Sequence, residues 1–412
     1  MMSSLVDRFM RYVKINTQSQ EGKDCVPSTA CQFDLAKVLG QELRDMGVQD
    51  VTVTDHAYVC ATIPSNCPGA PAIGFCAHID TALEVSGQNV KPRLIEKYDG
   101  GDIVLNAEKN IVMSPDAFDD LKKHVGDSLI VTDGTTLLGA DDKSGVAVIM
   151  TAVEYMIQHP EFKHGKVVLC FCPDEEIGHG AQLWDLDTYG ADFAYTVDGD
   201  GCDTFSYETF NAAQARVTIH GVVVHPGTAK NKMVNASMLG VEFAQSLPPA
   251  ETPAHTELYE GYYHLTDICG GVDKCELTYI IRDHDTDLFN ARKEHFKMLV
   301  RQLNERWGKE YATLEMHDQY YNMAVPLKKR MDIVNTALKA YEMAGITPKI
   351  KAARGGTDGS QLSFRGLLTP NLFIGGYNCH GPYEFAVVQA MENCVKVILN
   401  IIKLYAAGQQ VK

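Results

Sequence analysis

The 412-residue sequence has no surplus of positive charge: 37 Lys and Arg stand against 53 Asp and Glu, a formal net charge of -16. Binding to a phosphate backbone rests on clustered basic residues, so no nucleic acid is expected as a partner. No apolar run approaches the length needed to cross a bilayer, so no membrane association is expected either. The opening stretch MMSSLVDRFMRYVKI lacks the continuous apolar core of a signal peptide; it reads as an amphipathic helix with Leu5, Phe9 and Val13 on one face. No CxxC pair occurs among the 12 cysteines, which are scattered, and Cys60, Cys76, Cys170 and Cys172 lie in apolar strand-like runs where cysteine behaves as a small hydrophobe. That excludes a disulfide framework and fits a reduced, cytoplasmic setting. There is no internal repeat and no low-complexity tract.

What is present points to two cores, because 45% hydrophobic residues over this length exceed what a single core organises. Short apolar runs at YVCATI (58–63), AIGFCA (72–77), KVVLCFC (166–172) and FAYTV (193–197) read as buried strands, with amphipathic helices predicted over 28–46 and 143–158. This is an α/β pattern with a substantially parallel sheet. From residue 213 the rhythm changes to strand, helix, strand, strand, helix, strand, the βαββαβ order of a ferredoxin-like sandwich. Helical and strand patterns resume at 331–343 and 371–374, and a last helix is predicted over 385–404. The simplest assembly is a discontinuous domain, 1–208 with 322–412, into which 209–321 is inserted.

The stretch TDGTTLLGADDKSGVAVIM sets two adjacent acids, Asp141 and Asp142, at the start of a helix pattern. Alone, they could simply cap free NH groups and complement the helix dipole. Other residues change the weighing. His78 and Asp80 follow one predicted strand directly, Glu175 and Glu176 another, Asp198 a third, and His380 comes shortly after 371–374. In an open α/β sheet the carboxyl ends of the strands line one crevice. Each residue alone reads as a surface pair or a helix cap, but so many acids in one crevice would repel one another without a cation.

Two imidazoles with several carboxylates and no cysteine suit zinc, with cobalt or manganese as substitutes. Two divalent ions carry four positive charges; Asp141, Glu176 and Asp198 supply three negatives and a bridging hydroxide a fourth, so two ions sharing one carboxylate are expected. Such a pair lowers the pKa of a shared water to about 7 and prepares it to attack an amide carbonyl. Glu175 is left over as general base and proton shuttle.

The segments AHIDTA, LGADDKSG, CPDEEIG, YTVDGDG, VVVHPGTAK, MVNA, YIIRDHD, RGGTDGSQLSFRG and GGYNCHGPYEF together resemble the peptidase T family, tripeptide aminopeptidases of the dinuclear-zinc aminoacylase and carboxypeptidase superfamily. The likeness spans nearly the whole chain. It implies a zinc-exopeptidase-like mixed, mostly parallel sheet flanked by helices, with the inserted βαββαβ domain as a lid. One zinc would take His78 and Asp198, the other Glu176 and His380, and Asp141 would bridge them, with a cis peptide bond after it. Asp80 would orient His78. In the lid, His225 would donate to the oxyanion, and Arg282 and Arg354 would grip the carboxylate end of the substrate and so measure its length. Without the resemblance, His225 reads as a turn residue and each Arg as one half of a surface ion pair.

The function expected is release of the N-terminal residue from tripeptides by two Zn2+ per chain, with a homodimer through the lid as the accompanying arrangement. A dizinc deacylase, dipeptidase or carboxypeptidase would use the same site. A catalytically silent peptide-binding protein would have lost Glu175 or a ligand, and none is lost.

Overall fold

The computed structural model describes residues 2–411. The chain divides into two compact units. One comprises the chain up to Tyr207, Met323–Lys351 and the chain from Thr357 onward; the other comprises Glu208–Asn322 and Ala352–Gly356. The strip Ala352–Gly356, which the sequence reading keeps in the first domain, groups with the second because its backbone pairs there: Ala353 bridges Thr209, and the Phe210 amide donates to the Gly355 carbonyl.

The first unit is built on eight strands in the order Asp50–Val53, Val59–Ile63, Val167–Cys172, Ile73–His78, Phe193–Gly199, Asn371–Phe373, Thr204–Ser206 and Lys349–Ile350. Val167–Cys172, Ile73–His78, Phe193–Gly199 and Asn371–Phe373 run parallel, and they have antiparallel neighbours in Val59–Ile63 and Thr204–Ser206. Both sheet faces are covered. Along Val167–Cys172, Val167, Leu169 and Phe171 join one apolar cluster while Val168, Cys170 and Cys172 join another. A strand buried on both faces carries no polar alternation, which is why the sequence shows it as an unbroken run. The helices Ala140–Gln158 and Val388–Ala406 bury their apolar residues in the first cluster; Trp184 and Leu362 belong to the second.

Register positions the site. Cys76 lies opposite both Cys170 and Thr196, and His78 opposite Cys172. The residues that follow these three strands therefore leave the sheet at one edge. Gly145 lets the helix Ala140–Gln158 come close to that edge: a Cβ there would lie 1.9 Å from the Val197 carbonyl oxygen.

A second sheet of four short strands, Gly376–Tyr377, Phe385–Val387, Leu129–Val131 and Arg93–Ile95, is antiparallel throughout. It corrects the sequence reading at 385–387, where the last helix was expected to begin. Phe385 pairs with Val131 and Val387 with Leu129, so these residues extend and the helix starts at Val388.

The second unit is a four-stranded antiparallel sheet ordered Tyr262–Gly270, Lys274–Asp283, Asn211–His220 and Ala312–Tyr320, with the helices Ala236–Ser246 and Thr286–Trp307. Alternate residues of Asn211–His220, Ala213, Ala215, Val217 and Ile219, enter a core with Phe243, Phe289 and Phe296 from the helices. The longer helix is capped by Asp285, whose carboxylate accepts from the Asp287 and Leu288 amides, a contact worth about 1 kcal/mol. Among the described residues no helix is long and apolar enough to cross a membrane.

Candidate metal centre

Seven of the ten residues given a role in the sequence reading lie together in the first unit. His78 ends its strand 2% exposed. Its Nε2 lies 2.9 Å from Asp141 Oδ1 and 3.6 Å from Asp198 Oδ1. The other Asp141 oxygen, Oδ2, lies 3.4 Å from His380 Nε2, which is also 3.2 Å from Glu176 Oε2. Asp141 therefore turns one oxygen to each imidazole, the disposition a bridging carboxylate needs. Donor atoms of His78, Asp141 and Glu176 lie within 4.8 Å of one another, as do those of His78, Glu175 and Asp198. At that separation Glu175 can ligate an ion or exchange a proton with a water beside it.

Local chemistry explains the placement. The Asp141–Asp142 peptide bond is cis and both residues have non-helical backbone angles. Asp142 is buried; its Oδ2 accepts from the His78 amide at 3.1 Å and its Oδ1 from the Gly145 amide at 3.1 Å, tying strand to helix. Asp80 does more than face His78. Its Oδ1 lies 3.3 Å from His78 Nδ1, while the carboxylate accepts from the Glu175 and Glu176 amides at 3.0 and 3.2 Å. One buried acid thus aligns both the imidazole and the loop carrying two other carboxylates.

Two further residues give no signal in the sequence. Asp174, buried in a left-handed conformation at φ 57, accepts from the Ser28 amide, Ser28 Oγ and Gln32 Nε2 at 2.6 Å each, and so fixes the turn before Glu175. Glu384 is 1% exposed; its Oε2 accepts from the Leu138 and Gly139 amides at 2.7 Å and its Oε1 from the Asp141 amide at 3.2 Å. It stands in GPYEF, within a quoted motif, but nothing in that local pattern points to a backbone some 240 residues earlier. Glu384→Gln replaces an acceptor oxygen by an amide NH2 facing those amides, so metal affinity or kcat is expected to drop about 10–100-fold with KM little changed. Chelator competition and steady-state kinetics measure both.

The electrostatics call for cations. Burial, followed by the charge of Asp198, pushes Glu175 well above its ordinary range. Burial and then Asp141 push Glu176 to about 7, and burial pushes Asp198 to about 6 against the pull of His78. Burial alone would lower His78, but Asp141, Asp198 and Asp80 outweigh it and hold the imidazole well above its usual value; Asp141 and Glu176 raise His380 to about 11. Glu176 Oε1 is buried with no hydrogen-bond partner among the described residues. A buried acceptor left unmet costs about 1–3 kcal/mol, and a cation would meet it. Donor set, orphaned oxygen and crowded charge all fit a divalent metal.

These shifts weigh on the pH response of the metal-free chain, opposed above about pH 7 by Lys143, which burial brings down to about 7. Between the ordinary carboxylate range and pH 7 the folded state holds protons on Glu175, Glu176 and Asp198 that the unfolded chain has released, so stability falls as pH rises. The raised imidazoles have the same sign, their contribution fading as pH climbs from the ordinary histidine range. Asp141 is held below the usual range, so its contribution is already complete by pH 5. Metal-free protein is therefore expected to melt at a lower temperature at pH 8 than at pH 5.5, and a divalent cation to flatten or reverse that slope by binding the ionised carboxylates. Thermal melts with and without cation test this.

His225, Arg282 and Arg354 belong to the second unit. His225 is exposed, and its Nδ1 accepts from the Gly227 amide at 3.1 Å. In the neutral ring that leaves the proton on Nε2, a donor. Among the described residues neither arginine forms the surface ion pair that a local reading suggests. Arg282, 8% exposed, donates to the Ala213 and Ile281 carbonyls and to Gln319 Oε1, with its guanidinium over the Tyr320 ring. Arg354 donates to the carbonyls of Thr256, Leu258 and Glu260 and to Thr256 Oγ1, over Phe210 and Tyr262.

Comparison with known proteins adds three findings. Residues 207–311 match a family described as Peptidase dimerisation domain. A protein named Peptidase T from Halothermothrix orenii is 52% identical over 98% of this chain and 100% of its own length, and one so named from Desulfitobacterium hafniense is 53% identical over 98% and 99%. Among solved structures, aminopeptidase PepT from Bacillus cereus superposes with a TM-score of 0.78 at 23% identity over 99% of each chain. The Bacillus subtilis YXEP protein, described as a dinuclear metal binding peptidase of the M20 family, gives 0.66 at 13% identity over 98% of each. At these identities the two superpositions establish a shared fold.

Proposed function

The chain belongs to the peptidase T family, and on that footing we propose that it is a dinuclear metallo-aminopeptidase releasing the N-terminal residue from tripeptides. The observation that supports the metal arrangement best is Asp141, with one carboxylate oxygen toward His78 and the other toward His380. Two Zn2+ would be held by His78 with Asp198 and by Glu176 with His380, Asp141 shared between them; when bound they supply an acidified water and polarise the scissile carbonyl. Cobalt or manganese would serve the same donors.

Protein side chains do the rest. Glu175 takes a proton from the attacking water and returns it to the departing nitrogen, which then leaves as an amine and not as an amide anion. Asp80 keeps the His78 ring and the Glu175 amide in line. His225 offers an Nε2 proton to the oxygen that becomes negative as the carbonyl is attacked. Arg282 and Arg354 take the carboxylate end; the partners of Arg354 are neutral oxygens, which a substrate carboxylate can replace with charge-assisted hydrogen bonds. A clamp on that end would make activity depend on substrate length. The dimerisation-domain match over 207–311 supports a homodimer through the second unit, and twelve free thiols support a cytoplasmic setting.

A panel of free, N-acetylated and C-amidated di-, tri- and tetrapeptides tests this with zinc-loaded protein. Free tripeptides should lose their first residue fastest. Preference for an acylated amino acid, or release from the C-terminus, would move the chain to a deacylase or carboxypeptidase role at the same centre.

A further inference from the structure

We infer that Glu84 is the acceptor for the substrate's α-ammonium group, an inference that rests on the aminopeptidase reading. Release of a first residue attacks the carbonyl carbon two bonds from the α-nitrogen. That cation therefore arrives at the rim of the carboxylate–imidazole cluster and needs an anion there. The cluster's own acids are otherwise engaged. Asp141, Asp198 and Glu176 have side chains 21%, 10% and 7% exposed and each faces an imidazole. Asp80 and Glu384 are buried and accept backbone amides.

Glu84 differs on both counts. Its side chain is 62% exposed, and its Oε2 lies 3.7 Å from Nδ1 of His380, the imidazole whose Nε2 faces Asp141 and Glu176. It thus stands on the open side of the same ring that enters the cluster. Its backbone is fixed although its carboxylate is not covered. Gln18 Nε2 donates to the carbonyls of Ala82, Leu83 and Val85 at 3.0, 3.3 and 3.1 Å, bracketing Glu84, and the Leu137 amide donates to the Ser86 carbonyl. A loop pinned on both sides of one exposed acid loses little further freedom on meeting a ligand, which favours binding. The anion, its openness and its rigid mount suit a primary ammonium, and they give the enzyme a reason to reject N-acylated peptides.

The test compares a free tripeptide with its desamino analogue, in which hydrogen replaces the α-amino group, on zinc-loaded protein. Wild type is expected to favour the free peptide by about 10- to 100-fold in kcat/KM, the weight of one hydrogen bond between charged groups. Glu84→Gln should shrink that preference to within about threefold, chiefly through KM for the free peptide, with metal content unchanged. Equal losses on both substrates, or loss of metal, would show that Glu84 acts by holding the His380 ring and overturn the inference; an unaltered preference would overturn it too. If wild type cleaves neither peptide, the aminopeptidase reading is what fails.

Discussion

Glu175→Gln is expected to lower kcat for tripeptides by about 10²–10⁴-fold while leaving KM and bound metal close to wild type. Gln keeps the shape and the amide hydrogen bond to Asp80 but cannot accept the water proton. The metal content decides what the loss means. Donor atoms of Glu175 lie within 4.8 Å of those of His78 and Asp198, so the same side chain could serve as a ligand. A base predicts a fully loaded, silent enzyme; a ligand predicts that elemental analysis finds less metal. Retained turnover would remove Glu175 from the proton path altogether.

The parts of this architecture that the sequence discloses are those with dense local signals. Buried parallel strands declare themselves as apolar runs, and the acids at or just past their ends, Asp80, Glu175 and Asp198, inherit their position from the strands. The βαββαβ unit is legible because three of its strands, Asn211–His220, Lys274–Asp283 and Ala312–Tyr320, are nine or ten residues long and alternate in burial. The second sheet is not. Arg93–Ile95, Leu129–Val131 and Phe385–Val387 have three residues each, too few for any period to show, and Phe385 continues the apolar spacing of the helix after it. The same blindness hides Glu384. Its role is to accept amides of Leu138, Gly139 and Asp141, and a carboxylate that serves backbone leaves no residue-type signature at the other end. Asp80 was legible as the partner of His78, two positions away, but not as the acceptor for Glu175 and Glu176, which are 95 and 96 positions away.

Asp141→Asn and His380→Ala are expected to fail in different ways. A carboxylate with an oxygen on each side of the centre holds both ions, so its amide, one charge poorer and with one weaker donor, should empty both positions together; kcat should fall by more than about 10³-fold, since both polarisation and water acidification go with the ions. Within the centre His380 faces the Asp141 Oδ2 and Glu176 side, and its side chain is 40% exposed, so Ala there should cost one equivalent of metal and leave the His78 and Asp198 side loaded. Metal titration followed by calorimetry then gives two steps for wild type, one for His380→Ala and none of comparable affinity for Asp141→Asn. A single remaining step in both variants would mean that Asp141 serves one ion only, and the shared-carboxylate centre would have to be given up for two independent ones. The stability response adds a check that needs no turnover. A ligand that binds the folded chain raises its melting temperature by mass action, so zinc should lift wild type most, His380→Ala partly and Asp141→Asn least.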